Sequence, residues 1–254
     1  MKNKERYNLS QLKRMQKFEE DHSYFKKILK YLKYRHPGYK SIWDEYEKLI
    51  SKNIFPEMIF LDAGCGWMND RTDKYLTDKS IGIDIDLGSL RDNVNYDSLI
   101  LSNLENIPLR NGTVDIITTK SVLEHIEYPD VVFQEFFRLL KDNGILIMVL
   151  PNVYNPVNLF GKFTPLKLHK ILMKIVSKRD DKDIYPTYFR CCSPNSIDTK
   201  LKEFGFIKEE FILRGDFILF MHSKILINLW TIFDKLLPSK FKMFILIKYS
   251  KKIC

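Results

Sequence analysis

Directly after the apolar run Met58–Phe60, the segment Leu61-Asp62-Ala63-Gly64-Cys65-Gly66 sets one carboxylate and two glycines side by side. Glycines at that place let the backbone approach a ligand closely, and the carboxyl ends of parallel strands are where an α/β sheet opens its ligand crevice. Alone, the pair is equally well read as a tight strand-to-helix turn. A second carboxylate, Asp84, ends the next apolar run (IGIDID), 22 positions after Asp62. A nucleotide-binding sheet places there the acid that accepts both ribose hydroxyls, although a plain strand-end aspartate has the same appearance. Further along, His125 lies in SVLEHI just past another strand candidate, where an imidazole could take a proton near neutral pH. The competing reading of a lone histidine is structural, as a cap on the adjoining helix.

The elements that must position these residues are short apolar runs alternating with helical patterns, which is the texture of βαβ units and a parallel sheet. MIFLDA, SIGIDID, SLILS, VDIITTK and GILIMVLP read as successive strands. Asp130 to Lys141 reads as a helix with Val132, Phe136, Leu139 and Leu140 on one face, closed by Asp142-Asn143-Gly144. Ser193-Pro194 is an N-cap with proline at the first helical position, and the helix it opens buries Ile197, Leu201 and Phe204 before Gly205. Strands near Ile207–Arg214 and in FKMFILIKYSKK follow, the last expected to run antiparallel beside its predecessor. Before the sheet, periodicity predicts helices over His22–Arg35 and Ser41–Lys52, parted by His36-Pro37-Gly38. The division is therefore a helical extension over 1–55 and an α/β domain over 56–254, with inserts at 151–192 and 217–237.

Taken in order, DAGCG, GIDID, NLENIPLRNGTVD, SVLEHI and FFRLLKDNGILIMVLPN resemble the class I S-adenosylmethionine-dependent methyltransferases, among them small-molecule, quinone-biosynthesis-like ones. The likeness spans roughly residues 58–152, and five motifs in order are far more specific than one. It implies a Rossmann-like sheet of seven strands, mostly parallel with a reversed last strand, helices on both faces, and S-adenosylmethionine as cofactor. It further implies that Asp62, Ala63, Gly64, Cys65 and Gly66 line the methionine portion, and that Asp84 with Ile85 holds the ribose side. Asn103 stands where relatives carry an aspartate on the adenine amino group, Leu104 offers the neighbouring amide, and Lys120 offers its backbone carbonyl to the ammonium. One departure is plain: the family continues Gly-x-Gly-x-Gly, whereas Trp67-Met68-Asn69 follows Gly66 here. The same absence argues against a dinucleotide-dependent dehydrogenase, whose third small residue packs helix on strand beside a pyrophosphate.

Composition narrows the acceptor. The net charge of +9 divides into 14 basic and 7 acidic side chains over 1–55 (+7), 8 and 16 over 56–150 (−8), and 19 and 9 over 151–254 (+10). An acidic middle suits a cationic cofactor and basic flanks suit an anionic surface or substrate, although solvated lysines would give the same totals. Base-methylating enzymes lead one to expect an Asn/Asp-Pro-Pro-aromatic turn after the fourth strand, and SVLEHIEYPD stands there instead; no Pro-Cys loop offers a nucleophile for a pyrimidine. Nucleic acid is accordingly disfavoured. Tyr154, Phe160, Phe163, Tyr185, Tyr188 and Phe189 crowd the insert and could wall an apolar pocket, with Arg190 available for an anionic group; packing and surface roles are their ordinary alternatives.

A helix over Pro165–Lys178 would align Lys167, Lys170, Lys174 and Lys178 opposite Leu168, Leu172, Ile175 and Val176. A second, over Phe217–Leu237, would be apolar nearly all round save for Lys224, Asn228, Thr231 and Lys235, and is as readily a lid on the core as a membrane-interface helix. The expectation is a cytoplasmic enzyme, peripheral at a membrane surface, that methylates a small hydrophobic acceptor such as a lipid, quinone or glycan precursor. An RNA or protein methyltransferase and a non-catalytic binding relative are the alternatives. Cys65, Cys191, Cys192 and Cys254 lack metal-site spacing and read as reduced thiols, with no metal.

Overall fold

The computed structural model describes residues 9–67, 77, 79–93, 95–164, 185–217, 220 and 223–252. Two units are present, residues 1–41 and 42–254. The first contains helix α1 (Leu9–Arg35) and the turn after it, in which Gly38 takes φ +85° and the His36 amide closes on the Leu32 carbonyl at 2.8 Å. Helix α1 starts well before the expected His22, because Leu9–Asp21 is built of strong helix formers whose charge hides any apolar stripe.

The second unit begins at Ile42, ahead of the boundary drawn at residue 56, since helix α2 (Ile42–Asn53) belongs to its core. Its strands are β1 (Ile59–Ala63), β2 (Lys79–Asp84), β3 (Ser98–Leu101), β4 (Val114–Lys120), β5 (Leu140–Pro151), β6 (Phe206–Arg214) and β7 (Phe244–Lys251). They form one seven-stranded sheet in the order β3-β2-β1-β4-β5-β7-β6. The pairs among β1 to β5 are parallel, and β7 slots antiparallel between β5 and β6. The reversed last strand thus follows the sequence expectation.

The central strands β1, β4 and β5 are covered on both faces and read as largely apolar runs rather than alternations, whereas the edge strands β3 and β6 are mostly exposed. On one face Phe60, Ile116, Ile147, Val149 and Leu246 meet Ile42, Tyr46, Leu49 and Ile50 of α2. On the other, Leu61, Ala63, Ile117, Leu146 and Met148 meet Val132, Phe133, Phe136 and Leu139 of α4 (Pro129–Leu139) and Ile197 and Leu201 of α6 (Pro194–Glu203). Among the described residues, three further helices belong to the unit: α3 (Leu87–Asp92), α5 (Pro156–Phe163) and α7 (Lys224–Leu236).

Helix α4 stops at Leu139, not Lys141. Leu140 is drawn into the sheet opposite Val114, Lys141 pairs with Asp115 at 2.7 Å, and Lys251 Nζ takes the Phe137 and Leu140 carbonyls at 2.9 and 2.8 Å. A cation at a helix C-terminus offsets its partial negative charge. The Ser193 cap appears as expected, forming a reciprocal capping box with Ser196. The apolar helix expected over 217–237 is confined to Lys224–Leu236 because the Ser223 hydroxyl caps the Leu226 amide and sets its start. The lysine stripe at Lys167, Lys170, Lys174 and Lys178 lies outside the described residues.

Candidate active site

The chain runs outward from β1 to β2 and β3, then returns to place β4 on the other flank of β1, so the order of strands reverses between β1 and β4. Loops at the carboxyl ends of two such strands diverge and leave a crevice. The residues singled out at Asp62–Gly66 and Lys120–His125 stand on its two sides.

The first loop is folded against β2: the Gly64 and Cys65 amides both donate to the Ile83 carbonyl, at 2.8 and 2.9 Å. That path needs φ +80° at Gly64 and +58° at Gly66. A side chain at Gly64 would also strike a Val122 methyl, so the loops after β1 and β4 approach closely. Among the described residues, a Cβ at Gly66 would meet nothing within 4 Å, so this side of the loop is open. Asp84 accepts the Gly66 amide at 2.8 Å through one oxygen and the Asp86 amide at 2.9 Å through the other. Both oxygens are thereby aimed, and each keeps a lone pair for a hydroxyl. Beside it Ile85 is 71% exposed, an apolar side chain that the fold itself leaves uncovered.

Three residues that motif reasoning passed over position this loop. Asn93 is buried and donates to the Gly66 carbonyl at 2.8 Å. Asp62, itself buried, accepts the Thr118 hydroxyl at 3.2 Å and the Tyr96 hydroxyl. Thr118 had a visible signal, a polar residue inside an apolar strand. Tyr96 and Asn93 had none, since they lie on an irregular segment whose position only the packing of β3 against β2 determines. Burial, together with the neighbouring Asp62 and Asp84 carboxylates, pushes the Cys65 thiol far up, so it stays protonated.

The loop after β3 joins through the Ser102 amide, which donates to the Asp84 carbonyl at 3.0 Å. Leu104 is buried, whereas Asn103 is exposed and its side-chain oxygen already accepts the Glu105 amide at 3.1 Å. Only the second lone pair of that oxygen remains for an adenine amino group. The loop is clamped to α4 by Arg138, which donates to the Ile107 and Leu109 carbonyls at 3.0 and 2.8 Å, and by Glu135, which accepts the Ile107 amide at 2.7 Å. The hydrogen bond from Arg138 holds the Glu135 carboxyl below its ordinary value.

At the end of β4 the Lys120 ammonium lies 5.1 Å from the centre of the Trp43 ring. Ser121 follows with φ +55° and donates its amide to Val149 at 2.8 Å. Next, the turn Leu123–His125 binds the far insert: the Glu124 carbonyl accepts the Tyr188 and Phe189 amides at 2.8 and 3.2 Å. His125 Nδ1 sits 2.7 Å from the Pro186 carbonyl, and its ring meets Tyr185 edge-on at 5.9 Å. A carbonyl can only accept, so Nδ1 carries the proton and a neutral ring keeps its lone pair on Nε2. Tyr185, Tyr188 and Arg190 are exposed around this turn, and Tyr154 is exposed past the end of β5.

Comparison with known proteins agrees with this geometry. Residues 61–148 match the methyltransferase domain family. An uncharacterised protein of Methanocaldococcus jannaschii is 28% identical over 174 residues, 64% of this chain and 75% of that one. A malonyl-[acyl-carrier protein] O-methyltransferase of Laribacter hongkongensis is 34% identical over 50 residues, 20% of this chain and 17% of that one. The structure of an S-adenosylmethionine-dependent methyltransferase from Mesorhizobium loti superposes with a TM-score of 0.54 at 12% identity, covering 82% of this chain and 97% of that one. Residues 61–148 therefore carry a match to a methyltransferase domain, and the fold is the one seen in structures of S-adenosylmethionine-dependent methyltransferases.

The residues present fit that cofactor. Open space beside Gly66, two aimed oxygens on Asp84 and the uncovered Ile85 offer a backbone cradle, a diol acceptor and an apolar wall in sequence.

Proposed function

We propose that this methyltransferase acts on a small hydrophobic or membrane-associated acceptor, of the kind found among lipids, quinones and glycan precursors. One observation carries the reading: three hydrogen bonds tie Pro186, Tyr188 and Phe189 to the turn after β4, which holds exposed tyrosines beside the crevice. Aromatic faces at a cleft mouth suit an apolar or ring-bearing acceptor better than a phosphate-rich one. Arg190 beside them would hold an anionic group on that acceptor, and Tyr154 would close the wall from β5.

The cofactor supplies a methyl group on a sulfonium, a leaving group that needs no activation. What remains for the protein is alignment and, for a protonated acceptor, removal of one proton. The loop Asp62–Gly66 and Asp84 perform the alignment, held by Asn93, Tyr96 and Thr118. His125, oriented by the bond from Nδ1 to the Pro186 carbonyl and with Nε2 4.0 Å from the Glu124 carboxylate, takes the acceptor proton at Nε2.

The test is to incubate the purified protein with methyl-labelled cofactor and a host extract, then partition the products. Label in the organic-extractable fraction is expected. Label confined to precipitated RNA or protein would overturn the acceptor class while leaving the methyl transfer intact.

A further inference from the structure

Helix α7 is apolar on two opposite sides, and the fold uses only one. Ile227 and Thr231 are buried, and Trp230 donates its indole N–H to the Asp216 carbonyl at 2.7 Å. Asp234 pairs with Lys242 at 3.0 Å, and the helix sits so close to Gly215 that a Cβ there would strike the Asp234 carboxylate. These contacts orient the helix and turn Ile225, Leu229, Ile232 and Leu236 outward, at 74%, 60%, 53% and 78% exposure, with Leu226 and Phe233 beside them. Positions i, i+4, i+7 and i+11 share one helix face.

A second apolar element stands on the same edge of the sheet. Asn152, Asn155 and Asn158 donate to the carbonyls of Lys240, Lys242, Phe241 and Met243, which binds the start of α5 to the segment that leaves α7. On α5, Leu159, Phe160 and Phe163 are exposed. This edge is where β5 ends and β7 begins, Pro151 opposite Phe244, and it is the edge that carries the crevice.

Among the described residues, the charged side chains nearest these apolar ones are mostly lysines. Lys224 and Lys235 flank the outward face of α7, Lys162 stacks near Phe163 and Lys240 on the Phe241 ring. The acid within α7, Asp234, is engaged with Lys242. Two copies of such a face would repel, and a nucleic acid has no use for six outward aliphatic and aromatic side chains. An anionic bilayer answers both properties, with lysines at the headgroups and the apolar stripe below them. No helix among the described residues is long and apolar enough to cross a membrane, and a helix lying in the interface plane needs no such length.

We infer that α7 and α5 form a docking surface for anionic lipid membranes, set beside the crevice so that a lipid-borne acceptor reaches it from the bilayer. Docking itself does not depend on the acceptor class proposed above, because it is read without catalysis.

The full-length protein is mixed with neutral phosphatidylcholine vesicles and with vesicles containing anionic phosphatidylserine, and the bound fraction is measured by flotation. Binding to anionic vesicles is expected to exceed that to neutral ones by about tenfold at low salt, and to weaken as salt shortens the screening length to about 8 Å at physiological strength and below that beyond it. Leu229→Gln with Leu236→Gln should abolish it, as should Lys162→Gln, Lys224→Gln, Lys235→Gln and Lys240→Gln together. Retained cofactor affinity and an unchanged melting curve show that the variants fold; the salt series on the unmodified protein needs no variant. Unmodified protein that floats with neither vesicle type at low salt overturns the inference. So does a concentration-dependent dimer that the leucine variants dissolve without any vesicle binding.

Discussion

Replacing Asp84 tests the cofactor site most directly. Its carboxylate is held by the Gly66 and Asp86 amides at 2.8 and 2.9 Å, which fixes both oxygens. Two hydrogen bonds to a charged acceptor contribute roughly 1.5–3 kcal/mol each, about 3–6 kcal/mol together, which predicts that Asp84→Ala weakens cofactor binding by roughly a hundredfold or more. Asp84→Asn should recover little, because its amide nitrogen must face one of two backbone N–H donors. Asp86 supplies an internal control two positions away. Its side chain caps α3 by accepting the Ser89 amide at 2.7 Å, so Asp86→Ala should cost about 1 kcal/mol of stability and leave cofactor affinity within about threefold. Titration calorimetry with S-adenosylmethionine, alongside thermal melts, reads both quantities. Equal affinities for the wild type and Asp84→Ala would show that this carboxylate does not face the cofactor and would sink the site assignment.

His125→Asn should lower turnover more than binding, and the loss should shrink as pH rises past the acceptor's own pKa; a wild-type rate at every pH would leave His125 only its structural bond to Pro186. Cys65, Cys191 and Cys192 should resist alkylation at pH 8 in the folded protein, because burial raises all three, Cys191 to about 11; rapid labelling of Cys65 before unfolding, read by mass spectrometry, would contradict the structure. Burial works to raise Asp198, but hydrogen bonds from Lys202, Tyr249 and Lys208 outweigh it and hold the carboxyl at about 2. A depressed acid stabilises the fold above its unfolded pKa near 3.9 and ceases to as pH falls through about 2, a contribution of about 2 kcal/mol. Urea titrations of wild type and Asp198→Asn should therefore converge between pH 4 and pH 2, and a gap that persists at pH 2 would refute the pairing.

Much of the fold was readable because its signals are local. The central strands, buried on both faces, must be largely apolar runs, and the exposed edge strands β3 and β6 still carry enough β-formers that each of the seven was recognisable from its own residues. Ser193-Pro194 announced its helix by capping chemistry, which acts within four positions. The aspartates and glycines of the crevice were legible for the same reason, each standing at the end of a strand whose type its neighbours determine. Helix α1 was underestimated because charged helix formers carry no apolar stripe, and the end of α4 was misplaced because Leu140 and Lys141 answer to β4 and Asp115 rather than to their own sequence.

Tertiary structure alone decided what holds the site in place. Tyr96 meets Asp62 across 34 positions, Asn93 meets Gly66 across 27, and Pro186 meets His125 across 61. No periodicity or spacing encodes such pairs, since they depend on which strands become neighbours and on the close approach of Gly64 to Val122. The same holds for α7: its sequence shows a helix apolar nearly all round, with lid and interface equally readable. Only the packing of Ile227, Thr231 and Trp230 fixes which side faces inward, and that rotation leaves Leu229 and Leu236 facing water.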